Sequence, residues 1–144
     1  MKIVVFAPED RLRRVVADAW GRAFRLAGHD IVLCWHTAQL NAFSQFDLAF
    51  EIGARLVKDN IGCPVLHWLP DPVDAFPPDW HVAFKKGHLF FFGDFDSMVK
   101  AHQQGLRTAE YLPMGWDSDV LYEPLGGAVP DALTQEFDAV CADK

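Results

Sequence analysis

Short apolar runs recur along the chain at residues 2–6, 30–35, 46–50, 64–69, 88–92 and 108–112. They show little polar alternation, as strands covered on both faces do. Between the first two runs, Leu12, Val15, Val16, Ala19, Trp20, Phe24 and Ala27 return at helical spacing. Glu9 and Asp10 sit at the start of that pattern, where a helix is electropositive, and Gly28 stops it. Strand, helix, strand in this order predicts a right-handed crossover and a parallel sheet.

Further on, the pattern predicts a short helix over 40–46 and another over 52–60, stopped before Gly62 and Pro64. Residues 73–80 carry Pro77 and Pro78 and read as loop. After the fifth run, Asp96 or Ser97 is placed to cap a helix reaching about Gln104, with Gly105 as its stop. The expectation is an α/β fold: a three-layer, Rossmann-like, doubly wound and mainly parallel sheet of about six strands, formed by residues 1–124. Gly126, Gly127 and Pro130 mark residues 125–144 as a linker, and 137–141 reads as the start of a further strand.

The chain has 144 residues, 51% of them hydrophobic and 23% charged, which suits one folded core and excludes wholesale disorder. A net charge of -7 with scattered basic residues argues against a nucleic-acid surface. Cys34, Cys63 and Cys141 are widely spaced, and no C-x-x-C occurs, so neither a disulfide framework nor a zinc site is indicated and a reducing cytoplasm is expected. No apolar run approaches the ~20 residues of a membrane span.

Ligands of open α/β sheets bind beyond the carboxyl ends of the strands. Those ends carry residues 8–10, His36, Glu51 with Gly53, residues 70–74, 93–96 and 115–117. The first loop reads Ala7-Pro8-Glu9-Asp10, without the G-x-G-x-x-G of a dinucleotide site and with acids that would repel phosphate, which excludes NAD and FAD. Asp94-Phe95-Asp96 and Asp117-Ser118-Asp119 each spell D-x-D, a pairing that can hold a divalent cation. The competing reading, that Asp96 caps a helix and Asp117 ties down a loop, is preferred, and no metal site is assigned. Trp68-Leu69-Pro70-Asp71-Pro72 sets an acid between two rigid residues, suited either to a positioned carboxylate or to a stiff loop. Glu51 reads as a base or sugar-hydroxyl ligand, or else as an exposed carboxylate beside a turn. His67, in mid-strand, reads as a hydrogen-bonded core residue, and residues 90–92 as core.

Three pieces together resemble the N-terminal domain of CgeB-type (spore-maturation protein-like) GT-B glycosyltransferases: Phe46-Asp47-Leu48-Ala49-Phe50; Trp68-Leu69-Pro70-Asp71-Pro72; and Phe95-Asp96 followed by Gly105 and by Tyr111-Leu112-Pro113-Met114-Gly115-Trp116-Asp117. The resemblance implies two Rossmann-like domains, a sugar or glycosylated acceptor on the first, a nucleotide-sugar on the second, and no bound metal or other cofactor. Since these residues match only the first domain, the donor half is expected to be missing and the chain to be inactive alone. On this reading Asp71, Glu51 and His36 are the candidates for acceptor contact or base catalysis, and Trp68, Asp74, Asp94, Gly115 and Asp117 for substrate binding. The alternative is a non-catalytic Rossmann-like module that binds a small molecule or partner. A phosphoacceptor receiver, suggested by Glu9-Asp10, is disfavoured because the fifth run ends in Gly93 with no lysine near it.

Overall fold

The computed structural model describes residues 1–7, 11–36, 45–58 and 61–114. Most of the helix expected over 40–46, and everything beyond Met114, including Gly115, Asp117 and the linker, lies outside these residues.

Among the described residues six strands form one sheet: β1 (Lys2–Phe6), β2 (Asp30–Cys34), β3 (Leu48–Ile52), β4 (Val65–Leu69), β5 (Leu89–Phe92) and β6 (Glu110–Tyr111). Their order is β2-β1-β3-β4-β5-β6, and every pairing is parallel. The chain winds outward from β1 to β2, then restarts on the other side of β1 with β3. That reversal is the topological switch point of a doubly wound sheet. The α/β, Rossmann-like parallel architecture is therefore the one expected.

Among the described residues three helices accompany the strands: α1 (Arg11–Leu26), α2 (Pro78–Lys85) and α3 (Phe95–Gln103). Side chains alternate between the two faces of a strand, so residue parity shows which helix covers which face. Ile3, Val5, Phe50, Ile52 and Trp68 pack with Ala17, Val16, Trp20 and Phe24 of α1. Residues of the opposite parity form two separate clusters. One joins Val4, Phe6, Ala49 and Val65 to Leu56 and Ile61. The other joins Leu69, Phe90 and Phe92 to Trp80 and Ala83 of α2 and Ala101 of α3.

Four local expectations are revised. The inward face of α1 is centred on Ala17, Trp20 and Phe24, while Leu12 is 72% exposed. Among the described residues of the helix expected over 52–60, which end at Lys58, the helical element is a 3₁₀ turn, Leu56–Lys58. There the Glu51 carboxylate accepts the backbone amides of Arg55 and Leu56 and holds the segment in a turn. Residues 73–80 are not wholly loop, because Pro78 begins α2 at a first-turn position where proline's missing N–H would have had no helical partner. The cap of α3 is Asp94, not Asp96 or Ser97: its Oδ2 accepts from the amide of Ser97 at 2.8 Å.

The end of α2 matters for the site. Gly87 adopts φ +89, its amide bonds to the Phe84 carbonyl, and the next amide, that of His88, bonds back to Ala83. A glycine accepts this left-handed position without strain and turns the chain straight into β5. The residue delivered inward, a place that usually goes to an apolar side chain, is His88.

Candidate functional site

A cleft of about 410 Å³ opens at the carboxyl ends of β3 and β4, on one side of the switch point. Four pieces of chain wall it: Arg13 from the first turn of α1, Gly53 and Ala54 after β3, residues 69–75 after β4, and Pro77 with Trp80 leading into α2. Its lining mixes the charged Arg13, Asp71 and Asp74 with apolar residues such as Leu69, Val73 and Trp80, the usual composition of a small-ligand site.

Local chemistry keeps the β4 loop rigid. Pro70 and Pro72 fix two backbone angles around Asp71. The Ser97 hydroxyl accepts from the Val73 amide at 2.8 Å and lies 2.7 Å from Asp94 Oδ2, which accepts its hydrogen. Asp94 thus anchors the loop through Ser97, and the hydrogen bonds it accepts from the Ser97 hydroxyl and, next in weight, the Ser97 amide hold its carboxyl below the usual carboxylate range. Gly93 contributes by what it lacks. A Cβ there would fall 2.8 Å from the Pro70 backbone, so only glycine lets the exits of β4 and β5 run this close. Its amide donates to the Leu69 carbonyl at 2.7 Å.

Of the residues singled out from the sequence, Asp71 and Asp74 meet in this cleft. Asp71 lies 3.5 Å from the Arg13 guanidinium and Asp74 3.1 Å from Lys100, all with solvent access. Asp94 supports the loop from the side. His36 follows β2, three strand spacings or about 14 Å from β4, and does not line the cleft. Trp68 is sealed in the core, where its Nε1–H donates to the Leu112 carbonyl at 2.8 Å.

Glu51 is neither at the surface nor beside a turn in solvent, but fully buried. Besides the two amides of the following turn it meets His67 Nδ1 at 2.7 Å, and His67 Nε2 meets His88 Nδ1 at 2.8 Å. His67 is, as expected, a hydrogen-bonded core residue. Register builds this row: Glu51 pairs with His67, and His67 with Phe90, so side chains far apart in sequence stand side by side on one face. The row runs between the two apolar clusters of that face.

Arg13, Trp80 and His88 carry no motif that marks them in the sequence. The signals for them were slight: an arginine one turn into the first helix, a tryptophan just after Pro77-Pro78, and a histidine directly after a helix-ending glycine. Among the described residues no group of three or more His, Cys, Asp or Glu side chains is arranged to hold a metal ion, and no helix is long and apolar enough to cross a membrane.

The arrangement defines a Rossmann-like α/β domain with an acid-rimmed cleft at the carboxyl edge of its sheet. No protein-family model, curated protein or solved structure matches the chain.

Proposed function

We propose that the cleft binds the hydroxyl groups of a sugar or glycosylated acceptor, and that the chain acts as the acceptor-side domain of a GT-B glycosyltransferase. The observation that carries this reading is the pair Asp71 and Asp74 on a proline-stiffened loop, facing Arg13 and the indole of Trp80 across one small cavity. Carboxylates accept hydrogen bonds from vicinal hydroxyls, and an indole offers apolar surface to the C–H face of a sugar ring. Of the three candidate bases, Asp71 is the one that reaches the cleft, and its contact with Arg13 orients it. The nucleotide-sugar belongs, in this reading, to a second domain closing over the cleft, and no metal takes part.

The burial of Glu51 and Trp68 favours one alternative, a non-catalytic binding module, because two of the residues expected at the chemistry are structural. Thermal-shift titration separates the two readings. Simple glycans should raise the unfolding midpoint, by an amount equivalent to about 2.7 kcal/mol at a hundredfold excess over Kd, and UDP- and GDP-sugars should not. Asp71→Asn should weaken the glycan response. Stabilisation by nucleotide-sugars without glycans, or by neither, would overturn the acceptor-domain reading.

A further inference from the structure

Behind the cleft wall stand three buried ionisable side chains for which sugar binding has no use: Glu51, His67 and His88. Glu51 and His67 have no solvent exposure, and His88 has 9%. The His67 ring lies nearly parallel to His88, at 5.1 Å and 21°, and to Phe90, at 4.7 Å and 22°. The row meets the cleft wall at its Glu51 end and, through ring stacking, at its centre. The amides that Glu51 accepts, those of Arg55 and Leu56, directly follow Gly53 and Ala54. From His67, Phe90 continues the stack to Trp80, at 5.5 Å and 24°.

Counting hydrogens shows what the row tolerates. Glu51 accepts from two backbone amides, as an ionised carboxylate does, so the hydrogen on its contact with His67 is the Nδ1–H of the imidazole. The contact between His67 Nε2 and His88 Nδ1, at 2.8 Å, has room for one hydrogen. That condition is met when both rings are neutral or when either one is an imidazolium. Two imidazoliums would turn N–H against N–H. We propose that His67 and His88 together hold at most one extra proton in the folded protein, and that a second proton breaks their contact and loosens the cleft wall, making the row an acid-sensitive brace.

The charged groups facing His88 are Glu51 of β3, His67 of β4 and Lys86 at the end of α2. Burial foremost, then the positive charges of His67 and Lys86, hold His88 below its ordinary value, against the opposing pull of Glu51. In the unfolded chain His88 takes its proton near pH 6.5, while in the folded protein it does so only at lower pH. The stability it contributes is therefore present above about pH 6.5 and is lost as pH falls from there toward the folded value.

The inference rests on the geometry of the wall, not on what fills the cleft, and its test contains no sugar, so either outcome leaves the glycan reading untouched. Imidazole nitrogen and backbone amide NMR signals of the full chain are followed from pH 8 to 5, and unfolding midpoints are measured over the same range for wild type and His88→Gln. The two rings should titrate together without both becoming imidazolium while the protein is folded, and the Arg55 and Leu56 amides should shift with the same midpoint. His88→Gln should take up about one proton fewer on unfolding in acid. Independent titration of both rings to imidazolium with unmoved Arg55 and Leu56 amides, or an unchanged acid limb in a folded variant, overturns the proposal. Should His88→Gln not fold, the wild-type spectra decide alone.

Discussion

On the face of the sheet covered by α1, Trp20, Phe24, Phe50 and Trp68 form a continuous aromatic cluster, with ring centroids 4.9 to 6.5 Å apart. The opposite face has its apolar packing divided by Glu51, His67 and His88. The first face is held by volume and apolar area. Stability on the second depends on every hydrogen in the row having an acceptor, because a buried polar group without a partner costs free energy that packing does not return. The cleft draws on both faces: Glu51 of the polar row holds the amides that follow Gly53 and Ala54 in its wall, and α1 contributes Arg13.

This contrast breaks most sharply at Trp68. Trp68→Ala should cost about 3–5 kcal/mol in denaturant unfolding through the cavity it leaves, with no change in how stability varies between pH 5 and 8. A change in that pH response would mean that the two faces are coupled. Next in size is His67→Phe, which preserves aromatic volume beside Phe90 but removes the donor to Glu51 and the partner of His88. It should cost about 1–3 kcal/mol, the price of a broken buried hydrogen bond, and should alter the acid limb that Trp68→Ala leaves alone. A neutral His67→Phe would show that the second face, too, is held by volume.

The smallest effect is expected at Asp94. Its carboxyl is depressed by Ser97, so the stability it adds is present above the ordinary carboxylate range and is lost as pH falls through the lowered folded value. Asp94→Asn keeps the cap of α3 and should remove only this low-pH loss, read as a flatter unfolding midpoint below about pH 4. An equal loss in the variant would assign the acid limb to other carboxylates.

Much of the fold was legible because its signals are local. Apolar runs without alternation marked all six strands, although β6 is shorter than its run suggested. The misread pieces are those where a distant group overrides local preference. Residues 52–60 have helical composition, but the buried Glu51 carboxylate takes two of their amides and leaves a 3₁₀ turn. Pro77-Pro78 read as a breaker, although proline is favoured in a first turn. For the cleft, Asp71 and Asp74 were legible from the prolines around them. Glu51 is legible as a strand-end acid but its burial is not, since burial depends on what packs above a side chain.

By itself the sequence determined the strands, the alternation of helices with them, the parallel doubly wound sheet and the acid-bearing loop after β4. These follow from periodicity, glycine and proline positions and the right-handed crossover, each acting over a few residues or one connection. Only the tertiary structure decided that Arg13 and Trp80 share a cleft with Asp71, and that Glu51, His67 and His88 are consecutive partners. Those three lie 16 and 21 positions apart along the chain. Strand order and register set which side chains become neighbours across a parallel sheet, and spacing along the chain carries no record of either.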